Sequence, residues 1–428
     1  MDNLTPEQID QKIKKILLKV EKPGRYVGGE YNSVLKDWES NHLRTALVFP
    51  DIYDIGISNV GLKILYDILN AREDCLAERS YAVWRDMETL MRQHNIPLYS
   101  LESHHPIVEF DLVGFSIPYE TLYTNTLNFL DMSGIPVHNA DRGDEHPIII
   151  AGGHSVLNPE PMYAFIDAFV LGEGEEVINE IVDVIKKHKG ADGSRNRQAI
   201  LQDLARLNGV YVPTFYDVEY HSDNTIRSIQ PNQPFAKASI VKRMVPKLPP
   251  PPTRFIVPNI EAVHNRISVE IMRGCTRGCR FCHAGMINRP VRERSVEEVV
   301  EAVAAAIEST GFEEVALLSL SSSDYSNITQ LVKAVSDRFG EKHLGISLPS
   351  LRIETVSVDL MDQLRARRGT GFTLAPEAAS ERMRRTINKF ISDEQLIETV
   401  REIYSRGWTT VKLYFMIGHP SETLEDVQ

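Results

Sequence analysis

Cysteine is scarce: four in 428 residues, three of them between positions 275 and 282. That leaves no disulfide framework and fits a reducing, cytoplasmic setting; the isolated Cys75 reads as a small buried or half-buried residue. Long apolar runs are missing too. No stretch approaches the roughly 20 residues of a membrane span, so no membrane association is expected. No signal peptide is expected at the start of the sequence, since Thr5-Pro6-Glu7 reads as cap, first helical residue and first-turn acid of an amphipathic helix reaching about Val20. An excess of positive charge is absent as well. The formal net charge is -12, which argues against broad nucleic-acid binding through a basic surface, though not against a local basic groove. The chain is 42% hydrophobic and 25% charged, an ordinary globular composition able to bury large cores. Its length predicts two or three domains.

The concentrated cysteines form the stretch Ile271-Met-Arg-Gly-Cys275-Thr-Arg-Gly-Cys279-Arg-Phe-Cys282-His283. The spacing C-x3-C-x2-C follows an alternating apolar run over 267–272 that reads as a strand. A loop leaving a strand can wrap three thiolates round one small inorganic object, and soft thiolates select an iron–sulfur cluster or zinc. A cubane has four irons, so three cysteines leave one iron open to a chelating substrate. The competing zinc loop would take His283 as fourth ligand. Zinc sites more often come as two cysteine pairs with a spacer, and no second pair exists here. Arg273, Arg277 and Arg280 are positioned to offset the charge of a thiolate-bound cluster, or to be solvated. Gly274 and Gly278 allow close backbone approach.

Around this loop the chain falls into two α/β alternations. In the first, strands are expected at 45–49, 96–101, 110–116, 148–151 and 168–171, with helices at 60–69, 120–132 and 176–187. Near-continuous apolar strands alternating with helices predict a doubly wound, Rossmann-like parallel sheet with helices on both faces. Glycines stand just past the strand ends, where such sheets bind ligands. A helix over 196–207 and a small hairpin-like segment over 209–229 follow. Four consecutive prolines, 249–252, can join neither a helix nor a central strand and read as a stiff connector. From about 265 the alternation restarts, with helices at 296–309, 328–339, 358–366 and 392–406 and strands at 314–319, 344–348, 371–375 and 409–416. Ser295 is the expected cap of the first. This βα succession is of the kind that closes into a barrel. The expected division is an N-terminal helix and loop (1–40), a Rossmann-like domain with a β extension (41–240), a Pro-rich linker (241–264) and a partial TIM-type barrel (265–428). Because 423–427 reads as the opening turn of a helix, the barrel is expected to be truncated and the natural pattern to continue.

The cysteine stretch resembles the motif of the radical S-adenosylmethionine (SAM) superfamily, with Phe281 at the aromatic position before the last cysteine. The resemblance implies a 4Fe-4S cluster on Cys275, Cys279 and Cys282. SAM would chelate the open iron, be cleaved reductively and yield a 5′-deoxyadenosyl radical, with an electron donor such as flavodoxin or ferredoxin. It implies ligands at strand C-termini. Ser321 and Ser322, in Ser319-Leu-Ser-Ser-Ser-Asp324, stand where the family often has a glycine-rich turn for the methionine amino group. Glu377 and Ser380 resemble its ribose and methionine-side turn. Gly418, in Gly418-His-Pro-Ser-Glu-Thr423, resembles its adenine-side motif. Structurally, Glu377 would serve as a helix-start acid and Gly418 as a plain turn.

A second resemblance covers about 40–190. Asp51-Ile-Tyr53-Asp-Ile-Gly56 is similar to the Asp-x-His-x-x-Gly of cobalamin-binding domains, with Tyr53 in place of the axial His. Ser116, Gly152, Gly153 and Gly172 resemble the later loops. This implies either cobalamin bound without a protein His ligand or the fold kept without it. Structurally, Asp51 would be a helix cap, Tyr53 a packed surface aromatic, and the glycines ordinary strand-to-helix turns.

The function expected is radical SAM chemistry on an unidentified substrate, extending to methyl transfer if cobalamin binds. Methylthio transfer is excluded because it needs three N-terminal cysteines and only Cys75 is there. The alternatives are a rearrangement or oxidation without cobalamin, a zinc-stabilised binding module, and RNA binding through the cationic run 382–389, which otherwise reads as a solvated helix face.

Overall fold

The computed structural model describes residues 4–40, 42–340, 344–349, 351–353 and 372–428. The chain divides into two compact units: Met1–Val245 with Ile256–His264, and Pro246–Phe255 with Asn265–Gln428. Segment 249–255 is neither helix nor strand, as a proline run dictates.

In the first unit, helix α1 (Pro6–Ile16) starts with a full capping box, Thr5 and Gln8 satisfying each other's backbone N–H. Strands β1 (Leu43–Ile52), β2 (Cys75–Ala82), β3 (Leu112–Ser116), β4 (Ile148–Gly152), β5 (Ala168–Val170) and β6 (Val210–Tyr211) form one sheet in the order β2-β1-β3-β4-β5-β6. The first five run parallel; β6 is antiparallel to β5. A short turn, α2 (Tyr53–Gly56), and helices α3 (Val60–Asn70), α4 (Arg85–Gln93), α5 (Tyr123–Met132), α6 (Val177–Lys187) and α7 (Arg197–Arg206) accompany them. The strand order reverses direction at β1, so the crevice past the carboxyl ends of β1 and β3 is the place such a sheet offers a ligand.

One expectation for this unit fails. Segment 96–101 is no strand and makes only an isolated bridge, Tyr99 to Pro106. The edge strand is instead Cys75–Ala82, whose Glu78-Arg79-Ser80 centre hides it from any reading of apolar runs, although the strand is buried almost throughout. The hairpin expected in the β extension is there: β7 (Tyr216–Tyr220) and β8 (Ile226–Pro231) pair antiparallel, separate from β6.

In the second unit, β9 (Ile267–Glu270), β10 (Met272–Arg273), α8 (His283–Ile287), β11 (Arg292–Glu293), α9 (Val296–Thr310), β12 (Glu314–Leu318), α10 (Ile328–Phe339) and β13 (Gly345–Ser347) follow in order. Ser295 caps α9, accepting from the Glu298 N–H at 3.1 Å. Strands β9, β12 and β13 form a parallel sheet in the order β13-β12-β9, and β10 pairs with β11. The expected helix 358–366 lies outside the described residues, as does the first residue of the strand expected at 371–375. Strand β14 (Phe372–Glu377) pairs in parallel with β15 (Val411–Phe415), and α11 (Glu381–Thr386), α12 (Asp393–Ser405) and α13 (Leu424–Val427) complete the unit.

Candidate metal centre

The cysteine loop leaves β9 and β10 through Gly274, whose φ is +92°. A Cβ there would sit 2.6 Å from the carbonyl oxygens of Asn288 and Pro290, so only glycine fits. Cys279 is buried, while Cys275 and Cys282 are half-buried. Cys282 caps α8, its sulfur accepting the Gly285 N–H at 3.3 Å. The Arg352 Nη1 lies 3.7 Å from the Cys279 sulfur. His283 is exposed at the head of α8.

Other loops pin this one. Asn388, at φ +62°, donates its side-chain N–H groups to the Arg277 and Gly278 carbonyls at 3.1 and 3.0 Å. Arg280 donates from its backbone to Ile387 (3.0 Å) and from its guanidinium to the Thr386 carbonyl (2.5 Å). Arg277 pairs with Asp324, which follows β12, and Asp324 accepts from the Ser321 hydroxyl at 2.6 Å. Burial pushes the Asp324 carboxyl up, but Arg277 and Ser321 outweigh it, so the group lies below its usual range. Phe281 remains 40% exposed, its ring 6.3 Å from that of His419, beyond β15. The segments that follow β12, β13, α11 and β15 therefore meet the cysteine loop.

The other residues expected to touch SAM divide by accessibility. Ser322 is fully buried, its hydroxyl donating to Leu317 at 3.3 Å, so it shapes the loop from within. Ser380 caps α11 and donates to Asp426 at 2.6 Å. Glu377 is not the helix-start acid suggested by its position. It ends β14 with φ +71°, rare outside glycine, and its carboxylate pairs with Lys389 at 3.3 Å. Its carbonyl accepts from Met416 at 2.9 Å and lies 3.3 Å from the His419 Nε2. Gly418, at φ +90°, has open space where a Cβ would be, and Glu422 accepts its N–H at 2.5 Å and that of His419 at 3.2 Å.

The cationic run is only in part a solvated face. Arg384 is buried, donating to the carbonyls of Ile391 (2.7 Å), Ala379 (2.6 Å) and Ala378 (3.2 Å). Lys389 is buried against Glu377, and Arg382 pairs with Asp426. Two of the run's four cations, Arg384 and Lys389, are thus buried, while Arg382 and Arg385 stay more than half exposed.

Among the described residues, no three His, Cys, Asp or Glu side chains converge as the ligands of a single metal ion. A cubane spreads its thiolates over separate irons, so it asks for a wider set. Three sulfurs on one glycine-hinged loop, two of them receiving N–H donors, match the donor chemistry of such a cluster.

In the first unit, the cobalamin-type candidates separate. Asp51, Ser116 and Gly152 are half-exposed along the carboxyl edge of β1, β3 and β4. Nothing lies within 4 Å of a Cβ built on Gly152, whereas one on Gly153, at φ +114°, would meet the Ile117 carbonyl at 2.5 Å. Asp51, Ser116 and Gly152 thus offer an open edge, and Gly153 lets the chain turn against Ile117. The other three serve the chain itself. Gly56 makes room for the Tyr81 ring, 2.4 Å from a built Cβ. Gly172 pairs with Arg243, whose carbonyl lies 2.2 Å from a built Cβ. Tyr53 is no surface aromatic: it is 2% exposed, and its hydroxyl donates to Glu30 at 3.0 Å. Burial and the Glu30 charge hold its hydroxyl far above the usual phenol range, so it is no ready cobalt ligand.

Glu30 belongs to a buried cluster invisible in the sequence. Arg79 grips Glu30 with two N–H groups (3.1 and 2.9 Å) and Glu102 with Nε (2.6 Å), and Tyr66 donates to Glu102 at 3.0 Å. Next to it, burial and the Glu102 charge push the Glu78 carboxyl up to about 7. Cys75, as expected, is buried; burial pushes its thiol up to about 11.

Residues 269–428 match the description "Radical SAM superfamily", and residues 61–213 match "Radical SAM proteins, N-terminal". The chain is 28% identical to the uncharacterized protein MJ0966 of Methanocaldococcus jannaschii, over 90% of this chain and 71% of that protein. It is 23% identical to the uncharacterized methyltransferase PH0819 of Pyrococcus horikoshii, over 66% of this chain and 56% of that one. Among solved structures, the radical SAM methyltransferase TsrM from Kitasatospora setae, with cobalamin and a 4Fe-4S cluster bound, has TM-score 0.59 at 14% identity, covering 90% of this chain and 71% of that one. The cobalamin-dependent radical SAM enzyme OxsB, with aqua-cobalamin and SAM bound, has TM-score 0.57 at 13% identity, covering 90% of this chain. This chain spans about half of OxsB, 51% of its length.

Proposed function

Because the chain belongs to the radical SAM superfamily, we propose that Cys275, Cys279 and Cys282 hold a 4Fe-4S cluster and that the second unit binds and reductively cleaves SAM. The observation that carries this is the meeting of four other segments of the unit on one three-cysteine loop. When bound, the cluster supplies the electron that breaks the SAM carbon–sulfur bond. The chain's own residues bind and shield. Phe281, Glu377 and Gly418 are the residues assigned to SAM contact. Ser321, Ser322 and Ser380 belong to the same set but act by fixing the loops, since their hydroxyls are bonded within the chain. A one-electron donor of the flavodoxin or ferredoxin type is the implied partner.

We extend the reading to a cobalamin resting on Asp51, Ser116, Gly152 and Gly153, with no cobalt ligand from Tyr53. Methyl transfer is then the net reaction. The likeness of fold to OxsB and TsrM supports this extension. A single, buried N-terminal cysteine does not supply the three further thiolates that methylthio transfer would need. The test is anaerobic reconstitution with iron and sulfide, then incubation with SAM and dithionite. Release of 5′-deoxyadenosine and methionine is expected; a chain carrying iron but leaving SAM intact would refute SAM cleavage. Titration with hydroxocobalamin tests the extension, which fails if the corrinoid spectrum does not change.

A further inference from the structure

The three arginines inside the cysteine loop invite the idea that they neutralise the cluster. Each is held by an oxygen. Arg273 makes two bonds to Glu270, both 2.9 Å; Arg277 pairs with Asp324; Arg280 donates to the Thr386 carbonyl. These bonds go to oxygens and not to a cysteine sulfur. A cation that meets a cysteine sulfur comes from 73 residues away: Arg352 Nη1, 3.7 Å from Cys279 Sγ. It is held there from behind. Its backbone N–H donates to the Ser323 hydroxyl at 2.9 Å, in the loop after β12 that also supplies Asp324. Its charge helps to lower the Asp324 carboxyl, after the stronger pull of Arg277 and Ser321. Cys279 is also the most enclosed of the three cysteines, which strengthens any charge interaction there.

We propose that Arg352 sets the reduction potential of the cluster by donating a charged hydrogen bond to the Cys279 sulfur. The proposal rests on the cluster reading given above. Reduction adds one negative charge to an already anionic, thiolate-bound cluster. A cation in contact with a ligand sulfur stabilises the reduced form more than the oxidised form, and so raises the potential. The neutral N–H that Gly285 gives to Cys282 does the same more weakly, since charge-assisted hydrogen bonds are roughly twice as strong as neutral ones. Arg352 is therefore a positioning and tuning residue, acting on the cluster through Cys279.

The experiment compares the full chain with R352Q, R352K and R280Q. Each is reconstituted anaerobically, assayed for iron, and titrated with dithionite against redox mediators while the reduced cluster is followed by electron paramagnetic resonance. R352Q should disfavour reduction about tenfold, which is about 59 mV more negative for a one-electron couple. R352K keeps the charge but loses the planar donor geometry, and should move the same way by less. R280Q, whose guanidinium meets the Thr386 carbonyl rather than a sulfur, should move by less than R352Q. An iron-loaded R352Q with the parent midpoint overturns the proposal, as does an R280Q shift as large as that of R352Q. If R352Q holds no iron, R352K decides: a smaller negative shift supports the proposal, and an unmoved midpoint overturns it. Failure of the parent chain to take up iron is a different outcome, and would defeat the cluster reading instead.

Discussion

Asn388 holds the cysteine loop shut, and removing its side chain should loosen the cluster without touching a ligand. Its amide makes two bonds, to the Arg277 and Gly278 carbonyls that bracket the middle of the loop. Each is worth about 0.5–1.5 kcal/mol, so the pair contributes about 1–3 kcal/mol. Asn388 also sits at φ +62°, where Asn is tolerated and Ala is strained. Asn388→Gly removes the bonds and keeps the backbone at ease, whereas Asn388→Ala adds about 1 kcal/mol of strain. At about 1.4 kcal/mol per factor of ten, the Gly variant should open its loop about 5- to 150-fold more often, and the Ala variant more still. The assay is anaerobic transfer of iron from the reconstituted chain to a ferrous chelator. The expected order of release rates is parent, then Gly, then Ala. A Gly variant that loads fully and releases iron at the parent rate would refute the idea that this anchor controls the loop.

Alanine at Cys275, Cys279 or Cys282 should lower bound iron to background after reconstitution, while Cys75→Ala, in a buried site with Thr45 3.7 Å away, should leave iron content unchanged. Arg79→Met should cost about 3–5 kcal/mol in urea unfolding, because it leaves the Glu30 and Glu102 carboxyls buried without their cation; a loss below about 1 kcal/mol would show the cluster to be dispensable. Glu78 is an acid whose folded value is raised, so its neutral form stabilises the fold below about pH 4.5, and that contribution is lost as pH rises to about 7. Glu78→Gln should therefore raise the melting temperature at pH 8 relative to the parent, by more than it does at pH 5; an equal effect at both would contradict the assignment. Tyr53→Phe should lower stability by about 1 kcal/mol through loss of the Glu30 bond and leave hydroxocobalamin binding unchanged.

The cysteines, the caps at Thr5 and Ser295 and most helices were legible because each is written in neighbouring residues: a ligand spacing, an oxygen before an acid, a helical period. Strand β2 was not, because its face is defined by Arg79 reaching back 49 residues to Glu30, a satisfied buried ion cluster that looks like surface in the sequence. The run 382–389 misled for the same reason. Arg384 finds its carbonyls and Asp393 only after the chain turns, so it reads as solvated until the turn exists. Arg352, Asn388 and His419 reach the candidate site from far along the chain, and nothing local marks them. Among the cobalamin-type glycines, the sequence could not distinguish Gly152, which faces open space, from Gly56 and Gly172, which admit Tyr81 and Arg243.

Metal and sulfide content of the chain purified and reconstituted without oxygen speaks most directly to the account. It predicts about four irons and four sulfides per chain, lost on exposure to air. A single zinc per chain that survives in air, with no iron taken up, would contradict it.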